Sequence, residues 1–124
     1  MAEGIFKELT KSSPEISACS AGIMANTGEA VSENAVIACK EYNADISKHT
    51  AKQLTMDILD SSDYFVCMTY SHAQALINAG IPENAIYILN VSDPYGGSLK
   101  LYKECCKQIY DKLLLLSNEL MREE

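Results

Sequence analysis

Tyr64-Phe65-Val66-Cys67-Met68, an interval patterned as a helix, then Ala85-Ile86-Tyr87-Ile88-Leu89: the order of these pieces decides the fold. Each run is apolar at successive positions, which predicts a strand buried on both faces, as in a parallel sheet. Between them Ser71 and Gln74 have the spacing of a capping box, Gly80 stands at the position after a helix end, and Pro82 prevents continuation. Strand, helix and strand in that order imply a parallel sheet covered by helices.

The same alternation extends outward in both directions. After Ser98 a last helix carries Tyr102, Cys106, Ile109, Leu113, Leu116 and Leu120 at spacings of four and three, a core-facing stripe. Toward the N-terminus, a helical turn is expected around Asp57 to Asp60. Before it, Ser32 caps a helix whose buried stripe is Ala35, Cys39 and Tyr42. Ile16-Ser17-Ala18-Cys19-Ser20-Ala21 alternates and meets Gly22, which reads as a strand reaching a turn. Ala2, Ile5, Phe6 and Leu9 fall at helical spacing, and Ser12-Ser13-Pro14 ends that helix. Residues 1–124 therefore read as a single α/β domain, a three-layer sandwich around a small parallel sheet. Such folds normally open with a strand in the middle of the sheet. This chain opens with a helix, and reads as N-terminally incomplete.

Composition sets the class of partner. The 124 residues are 48% hydrophobic, enough for one core and too much for a disordered tail. Ten Lys+Arg against 17 Asp+Glu leave a net charge of −7, and the only arginine is Arg122. That field repels a phosphate backbone, so nucleic acid is excluded as a partner. Apolar runs such as Leu113 to Leu116 are too short to span a bilayer, and no signal peptide is readable. A cytoplasmic protein without membrane association is expected. Its five cysteines form an odd set without metal-ligand spacing, and read as small buried hydrophobes. A bridge between adjacent Cys105 and Cys106 would be badly strained inside a helix. Neither a metal nor an organic cofactor is implied.

Chemistry concentrates in Asp93-Pro94-Tyr95-Gly96-Gly97-Ser98, between the last strand and the last helix. Ligands of doubly wound sheets bind beyond the carboxyl ends of the strands, where this loop lies. A carboxyl fixed there by Pro94 can protonate a leaving group, and Tyr95 can wall a cleft; the plainer reading is a turn that caps a helix.

Several segments together resemble the low-molecular-weight protein tyrosine phosphatases. Met1 to Leu9 is similar to the helix after that family's phosphate loop, and Ser20-Ala21-Gly22 to the motif after its second strand. Ser47 to Leu54 resembles its middle segment, Val66-Cys67-Met68-Thr69 its third strand, and Asp93 to Gly97 its general-acid loop. Gly96, where tyrosine-specific members more often carry an aromatic, makes the chain most similar to the bacterial protein arginine phosphatase branch.

The resemblance implies a flavodoxin-like sheet and a phosphatase acting on phosphotyrosine or phosphoarginine in protein substrates. Its mechanism runs through a phosphocysteine held in a Cys-x5-Arg loop at a helix N-terminus. It implies Asp93 as general acid, Tyr95 as substrate-cleft wall, and Ser20 and His49 as supports of the phosphate loop. For Ser20 and His49 the plain alternative is a satisfied structural hydroxyl and imidazole.

None of the five cysteines is followed six positions later by arginine, so the nucleophile loop is not among these residues and the chain is expected to be inactive. The family's first strand would lie centrally, between residues 16–21 and 64–68. A fold without it must close two bare edges on each other or pair chains, giving a homo-oligomer or strand-exchanged dimer. Two alternatives remain: a non-enzymatic binding or assembly module derived from the phosphatase, and an arsenate reductase on the same scaffold. The latter needs paired resolving cysteines after the third strand, where only Cys67 is near.

Overall fold

In the computed structural model, which describes residues 1–23 and 25–122, the two apolar runs form β1 (Phe65–Cys67) and β2 (Ile86–Ile88). They pair in parallel, Phe65 beside Ile86 and Cys67 beside Ile88. The ladder continues past the strand ends, where Leu89 N donates to Cys67 O at 2.8 Å and Val91 N to Met68 O at 2.9 Å. Around this pair run α1 (Ala2–Leu9), α2 (Glu33–Lys40), α3 (Met56–Ser61), α4 (Tyr70–Asn78), a 3-10 turn (Glu83–Ala85) and α5 (Leu99–Arg122).

Alternation along the strands separates two apolar cores. Phe65, Cys67 and Ile86 pack with Ala73 and Leu76 of α4 and Leu59 of α3. Met68, Tyr87, Leu89 and Val91 face the other way, into a larger core with Ile5 of α1, Ala35 and Cys39 of α2, and Ile109 and Leu113 of α5. Helix, sheet, helix is the expected three-layer α/β sandwich on a small parallel sheet. At Gly4, α1 approaches Ile46 so closely that a Cβ there would collide with the Ile46 side chain. On the α5 side, Tyr42 stacks on Tyr110 with ring centroids 4.6 Å apart.

Four expectations are corrected. The strands are not buried on both faces, since Val66 is 40% and Ile88 37% exposed. Because the Cys67 carbonyl faces β2, alternation turns the Val66 N–H and C=O to the opposite edge. Among the described residues no strand lies there, and the two bare edges do not close on each other. For the same reason residues 16–21 form no strand: a strand exists only with a ladder partner. The segment ends instead in a single bridge, Gly22 with Gln53. The N-cap of α4 is Thr69, not Ser71; β1 hands the chain straight to the helix, and Thr69 Oγ1 accepts from His72 N at 3.4 Å. Lastly, Cys19 is exposed, although the other four cysteines are buried.

Punctuation elsewhere is as expected. Gly80, at φ 95°, ends α4, with Ile81 N donating to Leu76 O and Gly80 N to Ile77 O, both 3.0 Å. That pair of bonds is a Schellman motif. Ser32 caps α2, its Oγ accepting from Ala35 N at 3.2 Å.

Candidate functional site

The loop from β2 to α5 is built by its own sequence. Asp93 Oδ1 accepts from Tyr95 N at 3.0 Å, an Asx turn that fixes the carboxylate and leaves its other oxygen for proton exchange. Gly97 N donates to Pro94 O at 2.8 Å, and Gly96 between them has φ 78°, which suits glycine. A side chain at Gly97 would stand 2.5 Å from Leu101 Cδ2 and 2.9 Å from Pro94 O, so that position is closed to one. Ser98 Oγ then accepts from Leu101 N at 3.2 Å and starts α5. Two outside contacts hold the loop in place. Asn34 Nδ2 donates to Gly97 O at 3.4 Å, and the Cys105 thiol to Ser92 O at 3.5 Å.

Tyr95 is 79% exposed and lines a cleft of about 420 Å³ together with Val31, Ser32, His49 and Tyr102. A second hollow of about 200 Å³ adjoins it, lined by Ser20, Gly22, His49 and Lys52. His49 borders both. Asp93 is exposed beside the cleft rather than in its lining.

Ser20 and His49 meet through a residue that the sequence reading passed over. Glu3 Oε1 accepts from Ser20 Oγ at 3.0 Å, and Glu3 Oε2 lies 3.4 Å from His49 Nδ1 and 3.4 Å from Lys7 Nζ. Burial pushes the Glu3 carboxyl up, but the Ser20 hydrogen bond and the charges of Lys7 and His49 outweigh it, so its pKa falls below the ordinary value. A carboxylate whose folded pKa is depressed adds stability above its unfolded value and loses it as pH falls through the folded one. Glu3→Gln is therefore expected to cost about 1–2 kcal/mol at neutral pH. The difference from the parent should shrink as pH drops below 4.5, the ordinary Glu value, and disappear in stronger acid. Urea unfolding across that pH range reads it directly.

Glu3 was missed because an acidic residue in a first helical turn reads as a partner of the helix dipole. Gln53 was missed too: its Oε1 accepts from Ala25 N at 2.9 Å and its Nε2 donates to Ile23 O at 2.6 Å, fixing the turn beside Ser20. Its place inside the Ser47 to Leu54 segment was the available signal.

The described residues offer an acid and a walled cleft, but no nucleophile facing an arginine. Four cysteines are buried, and Arg122 is the last residue of α5. Among the described residues no three His, Cys, Asp or Glu side chains are placed to hold a metal, and no helix is long and apolar enough to cross a membrane.

All residues, 1–124, match the family described as low molecular weight phosphotyrosine protein phosphatase, and the chain belongs to that family. It is 26% identical over 134 residues to a protein-arginine-phosphatase of Bacillus subtilis, covering 99% of this chain and 89% of the relative. It is 28% identical over 119 residues to the low molecular weight protein-tyrosine-phosphatase PtpB of Staphylococcus epidermidis, covering 90% and 82%. Among solved structures, a YwlE mutant from Bacillus subtilis superposes with a TM-score of 0.86 at 26% identity, over 97% of this chain and 88% of that one. A low molecular weight protein tyrosine phosphatase from T. tengcongensis gives 0.82 at 32% identity, over 99% and 88%.

Proposed function

We propose that this chain is the scaffold of a protein phosphatase for phosphotyrosine or phosphoarginine, and that these 124 residues alone do not turn over. The observation that carries the reading is the cleft itself. Tyr95 and His49 border one opening, with Asp93 held two residues away by its own Asx turn. In this reading Asp93 is the general acid, Tyr95 the wall against the substrate's flat group, and Ser20 and His49 the supports of a phosphate-gripping loop. Glu3 joins those supports into one unit. Without a Cys-x5-Arg there is neither a nucleophile nor a fork for two phosphate oxygens. The relatives' names supply the two substrate classes, and Gly96 favours phosphoarginine by leaving the rim open beside Tyr95. Four buried free thiols and one exposed one suit the cytoplasm, where the reading places the protein.

Assays of phosphate release from an aryl phosphate and from phosphoarginine test it. The chain should match the buffer rate, and a form extended at its N-terminus with a strand and a Cys-x5-Arg loop should hydrolyse at least one substrate. An extended form that folds yet acts on neither supports the non-enzymatic binding module instead.

The Val66 edge bears on partners. A bare parallel edge is a template for another strand, and we infer that it draws two copies together. Sedimentation equilibrium should show a mass rising toward a dimer as concentration increases; a monomer at the highest concentration removes the inference.

A further inference from the structure

Cys39 of α2 and Cys106 of α5 lie 67 positions apart in sequence, yet their sulfurs are 3.9 Å apart in the larger core. Both are fully buried. No step of the proposed phosphatase chemistry uses either. Their contact is a hydrogen bond between thiols, and it splits the pair. It pulls Cys39 below the ordinary thiol range and pushes Cys106 far above it. Either sulfur can be the donor in this contact, so either thiol can give up its proton with the other beside it to respond. The remaining cysteines are worse placed. Burial raises Cys67 and Cys105, Cys105 is turned to Ser92 O, and Cys19 is alone on the surface.

We propose that Cys39 and Cys106 are a peroxide-oxidisable pair, forming a reversible disulfide that clamps α2 to α5. One thiolate of the pair, here written as Cys39, attacks one oxygen of hydrogen peroxide; an S–O bond forms, the O–O bond breaks, and hydroxide leaves, taking up the proton that thiol gave up, to become water. Cys39 is then a sulfenic acid. The Cys106 sulfur attacks the Cys39 sulfur, the S–S bond forms, the S–O bond breaks, and the second water departs with the Cys106 proton. Two thiols and one peroxide give one disulfide and two waters; sulfur is oxidised and peroxide oxygen reduced. The sulfurs must close from 3.9 Å to about 2.05 Å. Burial favours a small uncharged oxidant over a bulky disulfide.

The clamp acts on a helix that touches the cleft. Ser32, which caps α2, lines the same opening as Tyr95, and Asn34 holds the Gly97 carbonyl. A bond at the far end of α2 fixes the helix that carries this wall.

The reduced chain, treated with a modest excess of hydrogen peroxide, blocked with iodoacetamide under denaturing conditions and digested, gives the test by mass spectrometry. The expected product is a peptide pair joined through Cys39 and Cys106, accounting for most of the lost thiol and reversed by dithiothreitol. The oxidised chain should also melt higher, by roughly 5 °C or more. Cys39→Ser and Cys106→Ala should each abolish both effects, and Cys105→Ser neither. Should either core variant fail to fold, the peptide map of the parent chain decides alone. Disulfides led by Cys19, or irreversible over-oxidation of Cys39 with Cys106 still free, would overturn the proposal.

Discussion

In the form carrying a Cys-x5-Arg loop, Asp93→Asn is expected to lower kcat by about 10²–10⁴ on a substrate with a poor leaving group, with KM nearly unchanged. In the proposed reading Asp93 is the acid, and the chain around it fixes its carboxylate. Its Oδ1 is committed to the Tyr95 amide, so the second oxygen alone is available for the proton. Asparagine keeps that amide bond and the turn, and removes only the proton, so a pure loss of acid catalysis should appear in kcat. The size of the loss depends on the leaving group. An aryl oxygen that departs well as an anion needs little protonation, and for such a substrate the effect should be much smaller. Steady-state kinetics on two aryl phosphates of different phenol acidity make the comparison. An equal loss on both would mean that the substitution has disturbed the loop instead.

Ile109→Ala is expected to reduce the unfolding free energy by about 3–5 kcal/mol. Ile109 is 1% exposed on the inner face of α5, in the core that also takes in Ile5 of α1 and Ala35 of α2. Shortening it leaves a cavity that the small residues of α2 in the same core cannot fill. Ala35, Ala38 and Cys39 have no length to spare, so relaxation is limited and the cost belongs near the upper end of the range. For a domain of ordinary stability, roughly 5–15 kcal/mol, this is a large fraction of the whole. Chemical denaturation with the slope held in view measures it. Ile109→Val, which keeps most of the volume, should cost about 0.5–1.5 kcal/mol.

How much of this was readable in advance depended on where each signal comes from. The stripe of α5 and the Gly80 stop of α4 are local, written in spacing and in one residue's tolerance of positive φ. β1 and β2 were readable because apolar runs flanking a helix leave few other arrangements. Residues 16–21 were misread because a strand is a relation between two segments, and alternation in one says nothing of the other. Val66 was expected to be buried for the same reason; its exposure follows from what lies beside it. Thr69 lost out to Ser71 because only two residues, Met68 and Thr69, separate strand from helix, so the helix begins earlier than the capping-box spacing implied. In the site, the turn from Asp93 to Ser98 was legible from Pro94, Gly96 and Gly97. Glu3 was not, since its partners Ser20 and His49 are distant in sequence and only packing brings them to it.

The Tyr42–Tyr110 stack gives the molecule its own spectroscopic label. With no tryptophan in the sequence, near-ultraviolet circular dichroism comes mainly from tyrosine, and two rings 4.6 Å apart at an interplanar angle of 29° couple their transitions. Comparing the parent with Tyr42→Leu isolates that pair's share of the band from the Tyr64–Tyr87 pair, and so lets the segment following α2 be watched settling onto α5 in unlabelled material.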